Sequence, residues 1–154
     1  MNIKEKICIM AKQSIKEYDE NGAHISDHLI SLSELITSLE NEEKGQLSIF
    51  LSESIALESI HSALSNPIIQ DRIECWCTQP EYQKQTRLII GYPMKKTVGY
   101  LYHLVEPSEQ GYLAVSSERC EYVCLVMLRK CDQEENDFIL YSAYPKTDGN
   151  NLWL

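Results

Sequence analysis

The chain has six cysteines, Cys8, Cys75, Cys77, Cys120, Cys124 and Cys131, but no C-x-x-C pair among them, which argues against a structural zinc site. It has no apolar run approaching the roughly 20 residues of a membrane-spanning helix. The opening "MNIKEKICIMAKQSIKEYDE" has no uninterrupted apolar stretch and no small-residue cleavage site, so it does not read as a secretory signal. Basic residues are scarce. Fourteen Lys and Arg against 23 Asp and Glu leave a net charge of -9, which argues against passive, phosphate-driven binding of nucleic acid. A Gly-rich phosphate loop, a Walker-type sequence and a nucleophile elbow are all missing. So are internal repeats, low-complexity tracts and linkers. In the absence of an export signal the cysteines read as reduced thiols and small core residues. Cys120 and Cys124 read as sharing one face of a strand.

What is present describes an ordinary folded chain. At 154 residues, 44% hydrophobic and 24% charged, it can bury the core of one domain spanning 1–154. Ile3, Ile7, Met10, Ala11 and Ile15 recur at helical spacing until Asn21-Gly22 breaks the pattern. A second stripe, His28, Leu29, Leu32, Leu35, Ile36 and Leu39, predicts another amphipathic helix. "SESIALESIHSALS" reads as a helix capped by Ser52, and Asn66-Pro67 opens one that buries Ile69, Ile73, Trp76 and Cys77 until Pro80 stops it. The second half is different. "TRLIIGYP", "TVGYLYHLV", "GYLAVSS", "CEYVCLVMLRK" and "DFILYSAYP" are β-branched, aromatic-rich runs divided by turn-formers. Helices followed by strands predict an α+β fold, with N-terminal helices packed on a C-terminal antiparallel sheet.

Two stretches could carry chemistry. His24 and His28 in "NGAHISDHLISL" are one helical turn apart, so both can face one cleft. As a metal pair they would need a third ligand, and a glutamate usually follows the first histidine; Ile25, Ser26 and Asp27 intervene instead, so no metal is expected. A histidine at a helix N-terminus is favoured in its neutral form, which can act as a general base. Taken alone, each histidine is better explained by packing or hydration at a helix end. In "LYSAYP", strand alternation sends Tyr141, Ala143 and Pro145 one way and Ser142 and Tyr144 the other. Two hydroxyls on one face can donate to a phosphate, though an ordinary half-buried strand end has the same pattern. His61, His103 and Trp76 read as surface or packing residues.

The order of these blocks resembles the RNase A-like toxin domains at the C-termini of bacterial contact-dependent growth inhibition proteins and related polymorphic toxins. That family opens with Gly-Gly-His-Thr-Ile-x-x-His-Val, where this chain has "NGAHISDHL". A Leu-rich helix, a Ser-Thr-Phe segment with an Ala-containing helix and an I-x-x-W helix follow; "SELITSLE", "LSIFLSESIALESIHSAL" and "IECW" are similar to them. The family closes on Val-Val-Leu-Arg and Thr-Ala-Tyr-Pro strands, where "CLVMLRK" and "FILYSAYP" stand here. The resemblance covers roughly residues 16–145.

It implies a kidney-shaped RNase A-like fold and an endoribonuclease toxin that needs no metal or other cofactor. His24 would remove the ribose 2′-OH proton, Tyr144 or His28 would assist the leaving oxygen, and Ser142 would bind a phosphoryl oxygen. The family's arginine in the helix after the histidines has no counterpart in "LISLSELITSLE". The cation that stabilises the phosphorane must then come from elsewhere, with Arg72, Arg87 and Lys95 as candidates. The implied partners are RNA, not DNA, and a cognate immunity protein that plugs the cleft. Action in the bacterial cytoplasm, after delivery within a larger secreted effector, follows from the same resemblance. Two other readings are a catalytically impaired binding module and an acidic immunity-type inhibitor.

Overall fold

Side-chain caps divide the N-terminal half into short helices. In the computed structural model, which describes residues 2–31, 34–35, 45–105, 114–130 and 137–149, helix α1 runs Ile3–Met10 from a capping box between Asn2 and Glu5. The helical pattern continues through Ile15, yet the chain breaks there because Ser14 caps a separate helix, α2 (Ile15–Glu20), accepting from the Glu17 N–H at 3.1 Å. Gly22, at φ 105°, turns the chain out of α2 in a conformation that a side chain would strain.

The next segment corrects the expectation for the histidines. Ile25–His28 is a single 3₁₀ turn with His24 at its N-cap, not the mouth of an amphipathic α-helix. The dipole argument for a neutral imidazole therefore lapses, since four residues of 3₁₀ turn align few peptide dipoles. Of the Leu-rich stripe beyond it, Leu32, Ile36 and Leu39 lie outside the described residues, while Leu35 is buried against Ile49.

"QLSIF" forms strand β1 (Gln46–Phe50). Helix α3 (Glu53–Leu64) follows from its Ser52 cap, and α4 (Pro67–Thr78) opens with proline in its first turn, both as the sequence predicts; Asn66 adds a side-chain cap to α4. A 3₁₀ turn at Pro80–Tyr82 leads to strands β2 (Arg87–Pro93), β3 (Gly99–Val105), β4 (Ala114–Cys120), β5 (Tyr122–Arg129) and β6 (Phe138–Lys146).

These strands make two antiparallel sheets, ordered β1-β3-β4 and β2-β5-β6, where the sequence suggested one. The fold is α+β as expected. The strand contributed by the helical half, β1, completes the first sheet by pairing with β3, Phe50 opposite Gly99. Cys120 and Cys124 are both buried, but on different strands of different sheets, so they do not share a strand face.

The main core lies where α1, α3 and α4 cover the inner face of β2-β5-β6. Ile7, Ile60, Leu64, Ile73 and Trp76 meet Leu88, Ile90, Leu125 and Phe138 there. Trp76 stacks edge-on against Phe138, with ring centroids 6.0 Å apart, and donates from its indole N–H to the Gln85 carbonyl at 3.0 Å. The sheets meet along β6, which contacts both β1 and β3. Gly99 is required at that seam: a Cβ would collide with the Ile49 carbonyl oxygen and approach Pro145 Cγ to 2.7 Å.

Candidate functional site

Strand β6 carries the site because its regular pairing with β5 is interrupted. Cys124 stands opposite Tyr144 and Val126 opposite Ser142, but Met127 already pairs with Leu140, so Tyr141 is an extra, bulged residue. The expected alternation holds from Ser142 onward and fails before it. Ala143 and Pro145 are buried on one face, while Tyr141 no longer shares that face and is only partly covered.

The bulge also fixes the histidine segment. The His24 backbone N–H donates to the Tyr141 carbonyl at 2.9 Å, and the Ile25 N–H donates to Asp19 Oδ1 at 3.0 Å. Those bonds lay the 3₁₀ turn along β6, with one histidine at each end. The His24 ring meets the Tyr141 ring edge-on at 5.1 Å. The His28 ring lies 5.5 Å from the Tyr144 ring, tilted by 32°.

A cleft of about 490 Å³ opens between β1 and β6 beneath this turn. His28, Ser142 and Tyr144 line it together, with Asp27, Ser48 and Lys146. His28 Nδ1 is 2.7 Å from the Ser48 carbonyl oxygen. A carbonyl only accepts, so Nδ1 carries the proton and the lone pair of the neutral ring is on Nε2. Burial raises the Tyr144 phenol above its ordinary range, and the buried Cys124 thiol beside it pushes the same way. Cys124 is itself raised by burial, while the Tyr144 hydrogen bond and the Lys146 charge pull it back. At neutral pH the cleft thus holds a protonated phenol, the Ser142 hydroxyl, an ammonium and an oriented imidazole. Together they can accept a proton, return one and stabilise negative charge.

The other candidates are placed elsewhere. His24 is exposed and lies outside the cleft lining, beside Tyr141. Arg87 joins it: its guanidinium carbon sits 5.4 Å from the Tyr141 ring centroid. Arg72 is on α4 and Lys95 is in the turn after β2, at φ 60°; neither lines the cleft. The cleft lining includes a cation that the sequence reading did not single out, Lys146. Its signal was available, because Ser142, Tyr144 and Lys146 are alternate residues of one strand and share a face.

Arg129, the arginine of the "VMLR" block, has a structural role. Its guanidinium lies 4.3 Å over the Trp76 ring and donates to the Trp76, Tyr82 and Gln85 carbonyls, tying off the end of α4. Among the described residues no cluster of three His, Cys, Asp or Glu side chains is arranged to hold a metal ion, and no helix is long and apolar enough to cross a membrane.

Known proteins share this arrangement of elements. A family described as the bacterial CdiA-CT RNase A domain matches residues 22–145. A chain from the crystal structure of the CdiA-CT/CdiI complex of Y. kristensenii 33638 is similar in structure, with a TM-score of 0.55 at 16% identity. The match covers 84% of this chain and 96% of that one, and at such identity it speaks for the fold. No curated protein matches significantly.

Proposed function

This chain belongs to the bacterial CdiA-CT RNase A domain family, and from that premise we propose that it is an endoribonuclease toxin that cleaves RNA with the groups of the β1–β6 cleft and no metal. The observation that carries the proposal is the convergence of His28, Ser142, Tyr144 and Lys146 on one cavity.

The reaction is an internal transphosphorylation. His28 Nε2 takes the proton of a ribose 2′-OH, and the 2′-oxygen forms a bond to the adjacent phosphorus. The P–O5′ bond breaks, leaving a 2′,3′-cyclic phosphate. Tyr144 gives its phenolic proton to the departing 5′-oxygen, an alkoxide more basic than the phenolate left behind, even though burial weakens the phenol as an acid. Lys146 and the Ser142 hydroxyl stabilise the phosphorane oxygens as charge builds on them; preorganised stabilisation of this kind usually contributes more to the rate than any other effect. Lys146 thereby takes the place of the arginine the family resemblance led us to expect.

Between the two histidines, the proton-accepting role goes to His28. Its Nδ1 is anchored to a backbone carbonyl, and its ring lines the cavity with both hydroxyls. His24 has neither property. DNA, which lacks the attacking hydroxyl, is not a substrate on this mechanism.

The partner is a cognate immunity protein that occludes the cleft, in keeping with the CdiA-CT/CdiI complex named for the structural neighbour. The site of action is the cytoplasm of a recipient bacterium. The purified chain, His28→Ala and His24→Ala are incubated with RNA in EDTA. Cleavage by the parent and by His24→Ala, with none by His28→Ala, supports the proposal. Intact RNA in all three reactions, together with harmless expression inside bacteria, would sink it.

A further inference from the structure

Next to the cleft stands a second group of side chains that the transphosphorylation does not use: Arg87, Tyr141 and His24. Four observations set it apart. The β-bulge makes Tyr141 an extra residue, which takes its side chain off the buried face that Ala143 and Pro145 occupy. The ring is then covered from two sides, by the Arg87 guanidinium at 5.4 Å and by the His24 imidazole edge-on at 5.1 Å. Both covering side chains belong to exposed residues, and Ile89, on the same face of β2, is 41% exposed. Arg87 reaches across the sheet to a tyrosine in a chain of net charge -9, and no ion pair to a carboxylate is formed by it among the described residues.

We propose that Arg87, Tyr141 and His24 form a subsite for a nucleotide flanking the scissile phosphate, with the guanidinium on the phosphate and the flat side chains beneath the base. The inference rests on the ribonuclease reading and adds a substrate class to it: single-stranded RNA longer than a dinucleotide. Planar side chains stack on any base, so the subsite adds affinity without a strong sequence preference, and it favours unpaired RNA whose bases can be splayed out. The spacing suits the role. Tyr141 immediately precedes Ser142 on β6, and successive strand residues advance by about 3.3 Å. The subsite therefore lies directly beside the cleft, within reach of the nucleotide next to the one whose phosphate is cut. Arginine is the fitting cation here, because a guanidinium can lie flat on the tyrosine and still present N–H groups to a phosphate.

The test is the length dependence of binding, read with 2′-O-methyl oligoribonucleotides that cannot be cleaved. Fluorescence anisotropy gives the affinity of the full chain, Arg87→Gln, Tyr141→Ala and Tyr141→Phe for di-, tri- and pentanucleotides. In the parent, lengthening from two to five nucleotides is expected to tighten binding about tenfold beyond the statistical gain. Arg87→Gln and Tyr141→Ala lose most of that gain, Tyr141→Phe keeps it, and Arg87→Gln lowers the salt slope by about one. Because both changed residues are partly or fully exposed, unchanged melting temperatures confirm that the variants fold. An equal length gain in the parent and Arg87→Gln overturns the subsite. Length-dependent binding that needs Arg87, in a chain that cleaves no natural RNA, leaves the subsite standing and removes the ribonuclease reading alone.

Discussion

Lys146 stands two residues beyond Tyr144 on β6 and four beyond Ser142, so all three face the cleft. As the cation of the cleft that faces the proposed phosphorane, it should contribute strongly to the rate. Lys146→Ala is expected to lower kcat by about 10²- to 10³-fold with little change in KM, the pattern of a group that acts in the transition state. His28→Ala should cost about 10²- to 10⁴-fold, as loss of a general base does. Steady-state cleavage of a fluorogenic oligoribonucleotide separates these from ground-state binding; an effect of Lys146→Ala confined to KM would contradict its role. Much of this site could be read from the sequence. Ser142, Tyr144 and His28 were legible as candidates because alternation and motif order are local. Which histidine faces the cleft was not legible. That depends on a 3₁₀ turn held by the Tyr141 carbonyl and Asp19, contacts made across the fold.

Among the elements, β6 is where pattern and structure diverge. A strand read alone alternates without interruption, whereas the bulge at Tyr141 arises from its register against β5. For the same reason one sheet was expected and two are found: helix caps are written within a few residues, but strand order is set by pairing over long separations. The cap at Ser52 and the proline start of α4 were accordingly legible, and the β1–β3 ladder was not. The seam between the sheets is sterically tight. Gly99→Ala should destabilise by about 1–3 kcal/mol, because its Cβ meets backbone of β1 and the ring of Pro145 on β6. Urea titration followed by circular dichroism would read this, and a neutral result would show that the seam can relax. Since β6 carries the cleft, the same variant should also lose activity at temperatures where it remains folded.

At the scale of the whole molecule, pH sets stability from both ends. The Lys6 ammonium beside Asp137 holds that carboxyl below the usual carboxylate range. The unfolded chain therefore takes up a proton first as pH falls below about 4, and the stabilisation is lost as pH drops through the folded value. Asp137→Asn should flatten this acid limb. Burial pushes the Cys77 and Cys120 thiols up to about 11 and raises Cys124 as well. Above about pH 9 the unfolded chain ionises these thiols while the folded chain does not, so stability falls between roughly 9 and 11. Thermal melts across pH should show that decline, and Cys77→Ala or Cys120→Ala should each reduce its steepness. The same burial keeps these thiols inert at neutral pH, in keeping with their reading as core residues.

The proposed chemistry is tested most directly at the ends it leaves on RNA. Mass spectrometry of an oligoribonucleotide cut in EDTA should find 2′,3′-cyclic phosphate on each upstream fragment and a free 5′-hydroxyl on each downstream one. A single 2′-deoxy substitution should block cutting at the following phosphate, and His28→Ala should yield neither end. Products bearing 5′-phosphate, or cutting that survives the 2′-deoxy substitution, would contradict attack by the 2′-oxygen and with it the role given to the cleft.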